Sequence, residues 1–366
     1  MDMIISGFTI TNGRIIVNDT SLNDNFTDVI DIPLVKGSLS LKGAFTITGS
    51  LTMPAAKSSL AFDARLGMQD KSLKGTFKAR DIDINRYIRF YPTELPVIIQ
   101  DLTVTEANIT ALVQAGSMSL SGDIKCPGLG ISLSDGTQLE GDITLTKMLV
   151  ETGKAGLSAQ GSILAAKTTV TTPAGLSART SLSIEGFTLT QNTKGYAFTG
   201  ETKADALAIT FNKDQSFSGD ILLKKMNVLM AGTAIQVQTD VDVKNAVINL
   251  PGTLITTEIL APDTHLTFDT GRLETGLHGT FKDLSVKTEG ASGLTAQSAS
   301  NAPELTLRLV FDPKAEIPLS YTGALMLSGL GVSGIPKVDE IKNVRGEITF
   351  QTDSATTSDL AFTVLD

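Results

Sequence analysis

The chain has 366 residues, is 41% hydrophobic and 19% charged, and carries a formal net charge of −9. That apolar content excludes a disordered chain. No Lys/Arg cluster is longer than a pair, which excludes a nucleic-acid groove and a polybasic patch for anionic lipid heads, and no apolar run approaches the roughly 18 residues that span a bilayer.

Period-2 alternation begins almost at once. Asn12-Gly13, between Ile10 and Ile15, predicts a hairpin, because both residues tolerate positive φ. SLSLKGAFTITGSLT, residues 38–52, sets Leu39, Leu41, Phe45, Ile47 and Leu51 on one parity and Ser, Thr and Lys on the other. SLAFDARLGM does the same with Leu60, Phe62, Ala64, Leu66 and Met68, and Phe77, Ile82 and Ile84 follow. DINRYIRFYP predicts one or two helical turns. Met118, Leu120, Ile124 and Cys126 then alternate, followed by Ile131 and Leu133, a hairpin at Asp135-Gly136, and Leu139, Ile143 and Leu145. ALAITF (Leu207, Ile209, Phe211) and ELTLRLVF (Leu305, Leu307, Leu309, Phe311) repeat the pattern. The small, polar stretch 288–304 predicts a flexible loop, VDEIKNV (338–344) another helical turn, and Leu360, Phe362 and Val364 a last strand. On the order of twenty strands result, antiparallel because their connections are short.

An element apolar-x-Gly-x-apolar recurs: LKGAF (41–45), LKGTF (73–77), LSGDI (120–124), LEGDI (139–143), FSGDI (217–221), LHGTF (277–281), YTGAL (321–325) and VRGEI (344–348). Each glycine shares parity with its apolar neighbours and should face the apolar side. There it either lets a sheet curl without crowding or marks a bulge or close approach in a sandwich. The intervals between copies are irregular, which argues against a fixed-period solenoid.

Little in the sequence carries chemistry. Of the two histidines, His278 falls on the polar parity and should face solvent, and no His/Cys/carboxylate spacing makes a metal site. There is no G-x-S-x-G, P-loop or dinucleotide fingerprint. Asp81 with Asp83, and Asp240 with Asp242, read as solvated outer faces. The single cysteine, Cys126, lies on the apolar parity and reads as a small buried hydrophobe. The expectation is a non-enzyme with no metal and no cofactor.

An antiparallel sheet with one apolar face has to bury it. Helices to cover it are missing. Two solutions stay open: a second sheet, giving a sandwich, or a curl into a trough whose lining is covered by an alkyl chain. An aliphatic lining without Trp suits hydrocarbon.

GFTITNGRIIVNDTSL (7–22), GTFKARDIDINRYIRFYPTELPV (75–97) and the following VTEANITALVQAGSMSLSGDI resemble the recurrent unit of AsmA-like proteins: a strand, an Asp-aliphatic-Asp-aliphatic step, a helical turn around a Tyr, a Leu-Pro, then new sheet. The likeness is clearest over residues 1–150. It implies an all-β fold, a long, curled, mostly antiparallel sheet forming an open groove with one or two short helices. It also implies the function of that family, with its TamB and YhdP relatives and the eukaryotic bridge-like lipid-transfer proteins. That function is to shield phospholipid acyl chains between the inner and outer membranes of a Gram-negative periplasm, without catalysis.

On that basis residues 1–287 are expected to form a continuous groove segment and 305–366 further groove strands, with 288–304 a loop between them. The chain reads as a fragment of a longer protein tethered to the inner membrane by a segment absent from it. The expected lining is Leu39, Leu41, Phe45, Ile47, Leu51, Leu60, Phe62, Phe77, Ile82, Ile84, Leu120, Ile124, Leu139, Ile143 and Leu145. The partners expected are phospholipid acyl chains and the two membranes. The competing expectation is a structural or adhesive β-sandwich array without ligand.

Overall fold

The computed structural model describes residues 4–19, 26–40, 43–88, 97–114, 116–133, 135–154, 156–193, 195–289, 294–298, 303–312, 315 and 319–365. The chain is all-β and divides into two compact units, Met1–Thr168 and Thr169–Asp366. The first holds β1 (Ile4–Asp19), β2 (Phe26–Ser40), β3 (Ala44–Met53), β4 (Ser58–Gly67), β5 (Ser72–Asp83), the helical turn α1 (Asn85–Ile88), β6 (Val97–Asp101), β7 (Thr103–Gln114), β8 (Ser117–Leu133), β9 (Gln138–Gly153) and most of β10 (Gly156–Thr171). The second holds β11 (Ser177–Asn192), β12 (Gly195–Asn212), β13 (Gln215–Ala231), β14 (Ala234–Leu250), β15 (Thr253–Asp269), β16 (Arg272–Thr288), β17 (Thr295–Ser298), β18 (Glu304–Phe311), β19 (Leu319–Ser333), β20 (Glu340–Gln351) and β21 (Ser354–Leu365).

The registered strand pairs are antiparallel and join successive strands, with two exceptions. β5 pairs with β7 while β6 pairs with β8. β17 and β18 each pair with both β16 and β19. In the first unit α1 folds back past the short β3–β4 hairpin, so that Arg86 meets the buried Asp28 of β2 at 3.0 Å.

Several local expectations change. Asn12-Gly13 is no hairpin: β1 runs straight through it, with Thr11 opposite Leu34 and Gly13 opposite Ile32, and Asn12 takes φ 53° inside the strand. Asp135-Gly136 does turn the chain, Gly136 donating to the Leu133 carbonyl at 3.0 Å. VDEIKNV is the start of β20, not a helix, and 288–304 contains β17. Gly43 lies in the turn before β3, so only the other seven glycines of the recurring element are in strands.

The regularity of the chain lies elsewhere. Gly128, Lys147, Lys167, Gly186, Ala206, Lys225, Asn245, Asp263 and Asp283 each take positive φ inside one strand, β8 to β16 in turn. Where registers are defined the ladder skips there, between Cys126 and Leu129, Ala204 and Leu207, Lys224 and Asn227, and Val243 and Ala246. These are bulges, which bend a strand and raise its twist. Each reverses the parity, so Leu120, Ile124 and Cys126 are followed by Leu129 and Ile131 in one apolar series. Gly128, Lys167, Ala206 and Asn245 stand 39 residues apart, as do Lys147, Gly186 and Lys225. Between Gly128 and Asn245 the hairpin interval is therefore constant, and it shortens to 38 from Lys225 to Asp263 and from Asn245 to Asp283, whereas the glycines of the recurring element are irregularly spaced.

Aspartates hold the bulges. Asp123 accepts the Lys147 amide at 2.8 Å. Asp142 accepts the Gly128 amide at 2.9 Å and pairs with Lys167 Nζ at 3.0 Å. Asp220 accepts the Ala206 amide at 2.8 Å and the Asn245 side chain at 3.0 Å. Asp240 accepts the Asp263 amide at 3.0 Å and Lys225 Nζ at 2.8 Å. Asp142, Asp220 and Asp240 thus each serve both flanking strands.

The residue before such an aspartate is the glycine of the recurring element, or Thr239. A Cβ on Gly219 would meet the Lys244 carbonyl at 3.1 Å and Ala246 Cα at 3.3 Å, the two residues that flank Asn245. Gly141 faces Ala166 and Thr168 around Lys167 in the same way. At Gly141 and Gly219 the glycine is the seat of the neighbour's bulge, and a bulge bends the strand that carries it.

Candidate functional site

Registered pairing gathers the apolar residues into rows that cross the strands on one face, because directly opposed residues of an antiparallel pair point the same way. In the first unit one row runs Leu39, Phe45, Leu66, Leu73, Val113, Met118. The next runs Gly37, Ile47, Ala64, Gly75, Ala111, Leu120, Val150. A third runs Gly49, Phe62, Phe77, Ile109, Gly122, Met148, and a fourth Leu51, Leu60, Ala79, Ala107, Ile124, Leu145. Ile143 stands opposite Cys126 and Leu139 opposite Ile131. Ile82 pairs with Val104 beyond the positive-φ Asp81, and the Ile84 amide donates to Leu102. Every described residue of the expected lining is half-buried. Leu41 lies outside the described residues.

The second unit has the same rows, which the expected lining stopped short of. Leu189, Phe198, Val228, Val237 and Leu266 form one. Ala204, Ile221, Val243, Ile259 and Phe281 form another. Leu277, Leu307, Gly323 and Phe350 cross β16 to β20. Their signal was present in the sequence as the same alternation, broken in β11 to β16 by Gly186, Ala206, Lys225, Asn245, Asp263 and Asp283.

The small residues at the base of the apolar face are covered, with Ala64, Ala107, Ala111, Ala246 and Ala261 all buried. Rings lie over its glycines: Phe8 covers Gly37 and stacks with Phe45 two strands away at 6.2 Å, and Phe62 reaches within 3.1 Å of the Cβ position of Gly49. Among the larger side chains Val243, Phe187 and Leu129 are buried, the lining residues are half-buried, and Phe8 and Ile10 of β1 are exposed at 44% and 42%. Among the described residues the close backbone contacts of each strand are mainly with its sheet neighbours.

The opposite face is polar. His265 and His278 are both exposed there, in a shallow depression shared with Glu274 and Arg308, which pair with each other at 2.6 Å. His278 Nδ1 lies 3.0 Å from the Thr306 hydroxyl. Asp240 and Asp242 are not merely solvated: they pair with Lys225 and Lys224. The Gly128 and Ala206 amides hold the Asp142 and Asp220 carboxyls below the ordinary carboxylate range, and Lys225 and the Asp263 amide do the same for Asp240. Cys126 is buried, and burial pushes its thiol up. No group of three His, Cys, Asp or Glu able to hold a metal occurs among the described residues, and no helix there is long and apolar enough to cross a membrane.

Comparison of the chain with protein families, with curated proteins and with solved structures returns no match.

Proposed function

We propose that the apolar face is a hydrocarbon-binding trough, and that the chain is a lipid-transfer segment of the AsmA-like kind, working between the two membranes of a Gram-negative periplasm. The observation that carries this reading is the set of apolar rows, continuous from strand to strand yet only half-buried, such as Gly49–Phe62–Phe77–Ile109. Contact with an acyl chain removes about 0.8 kcal/mol of exposure per CH₂. Rows repeated at each strand make successive positions nearly equal in energy, so a chain can slide without falling into a deep well. The polar head of such a lipid finds water at the open side.

Mass spectrometry of an organic extract of the protein, purified without detergent from a Gram-negative host, tests the reading. Phospholipid in near-stoichiometric or larger amount is the expected result. A folded, monomeric, lipid-free protein overturns it and leaves a structural array of sheets as the better account.

A further inference from the structure

The chain has two histidines in 366 residues, and the fold of the second unit brings both into one depression on the polar face. His265 of β15 stands directly opposite Gly276 of β16. His278 lies two residues beyond Gly276 on the same strand, and so points to the same face. The two imidazoles are therefore diagonal cross-strand neighbours, with Cβ atoms roughly 7 Å apart. Gly276 puts no side chain between them: a Cβ there would meet only His265 Cδ2, at 3.9 Å.

Each ring turns its Nδ1 to an oxygen. His278 Nδ1 lies 3.0 Å from the Thr306 hydroxyl; with the proton on Nδ1 this N–H donates to the hydroxyl and leaves a lone pair on Nε2. His265 Nδ1 faces Asp263 Oδ1 at 3.8 Å, longer than a hydrogen bond but close enough for the carboxylate to favour the same tautomer. An imidazole whose Nδ1–H is directed at an oxygen is the usual form of a histidine metal ligand. The charged neighbours are paired with one another. Glu274 Oε1 accepts Arg308 at 2.9 and 2.6 Å, and its Oε2 accepts Arg272 at 3.1 Å. Asp263 Oδ1 accepts the Gln238 side chain at 2.6 Å. Arg308 is thus committed to a carboxylate rather than offered to an anion, and the protein supplies two ligands rather than three, in keeping with the lack of a three-ligand group among the described residues. The two histidines also stand at a break in the sheet. β15 and β16 have no registered pair between Leu260–Thr280 and His265–Gly276, a stretch where Pro262 has no amide to donate and Asp263 gives its own to Asp240 of β14.

We propose that His265 and His278 form a surface site for one divalent transition-metal ion, held by the two Nε2 atoms and completed by water, which clips β15 to β16 across this break. Imidazole ligands select Cu²⁺, Ni²⁺ and Zn²⁺ over Mg²⁺ and Ca²⁺, and Cu²⁺ is the tightest of these. The exposure of both rings leaves room for the water ligands. The site lies on the face opposite the apolar rows, so it stands whether or not those rows hold lipid.

The full chain, free of any histidine tag, is titrated near neutral pH with Ni²⁺ by calorimetry and with Cu²⁺ for electron paramagnetic resonance. The expected result is one ion per chain, coupling of the bound Cu²⁺ to two imidazole nitrogens, and a melting temperature raised by Ni²⁺ and restored by a chelator. His265→Ala and His278→Ala should each bind at least about tenfold more weakly; both side chains are exposed, so the variants should keep the β signal in circular dichroism. The resonance spectrum of the unaltered chain reads the two nitrogens without any variant. Absence of binding, coupling to a single nitrogen, or unchanged affinity in either variant overturns the proposal. So does stabilisation by inorganic phosphate in place of the metal, which would make the depression an anion site.

Discussion

Asp220 of β13 accepts the backbone amide of Ala206 of β12 at 2.8 Å, at a residue that has no conformational preference of its own for φ 49°. Alanine in this region is disfavoured by about 1–2 kcal/mol, so the aspartate compensates for a backbone that the residue would not choose. The contact also lowers the proton affinity of the Asp220 carboxyl relative to its ordinary value of 3.8. The unfolded chain therefore binds that proton more readily than the native one, and the stabilisation is complete above the ordinary value and lost as pH falls through the native one. The melting temperature of the native chain should exceed that of Asp220→Ala at pH 7, and the gap should close towards pH 3. Thermal melts across this range check it; a gap independent of pH would contradict the argument.

Two glycines should respond differently to the same substitution. A Cβ on Gly122 would run into the Asn108 carbonyl and lie 3.0 Å from Ile109 Cα, whereas nothing lies within 4 Å of a Cβ on Gly116. Gly116→Ala meets only the strain of φ 82°, about 1 kcal/mol. Gly122→Ala should lose roughly 2–3 kcal/mol, because backbone has to move as well. Urea unfolding of the two variants measures the difference.

Ile47, opposite Gly37 and Ala64, is half-buried, so a carboxylate in its place can still reach water. Ile47→Asp should keep the β signal in circular dichroism, lose roughly 1–2 kcal/mol of stability, and retain several-fold less phospholipid than the unaltered chain. Lipid retained in full by a folded variant would show that this row does not contact the acyl chain.

Cys126 is the one thiol, and it is buried with its proton held more tightly than usual. At pH 8 it should react with a disulfide reagent at least tenfold more slowly than in the urea-unfolded chain. Equal rates in the two states would place the thiol at the surface.

The alternation in Leu39, Phe45, Ile47 and Leu51 was legible because an apolar face writes itself in period two. The bulges were not, although their trace is there: Leu145 and Met148 share a face across Lys147, and a lysine between two parities reads as solvent rather than as a backbone event. Asn12-Gly13 misled because a hairpin and an in-strand positive φ ask for the same residue types. VDEIKNV misled for a related reason: Ile341 and Val344 lie opposite Val332 and Leu330 on one face because Asn343 takes positive φ between them, and a spacing of three then imitates a helix. Asp142 and Asp220 carried no local sign of their role, since the bulges they hold belong to other strands.

The 39-residue interval has a consequence for how such a protein grows. Removing or duplicating a single strand would reverse the sense of everything after it and turn the amides of the positive-φ residues toward the wrong neighbours. A whole hairpin can be gained or lost without disturbing any seat, each one changing the width across the strands by roughly 10 Å. Length in this architecture is thus a quantity adjusted in fixed steps, independent of the chemistry of any one step, and natural insertions and deletions should come in multiples of that hairpin.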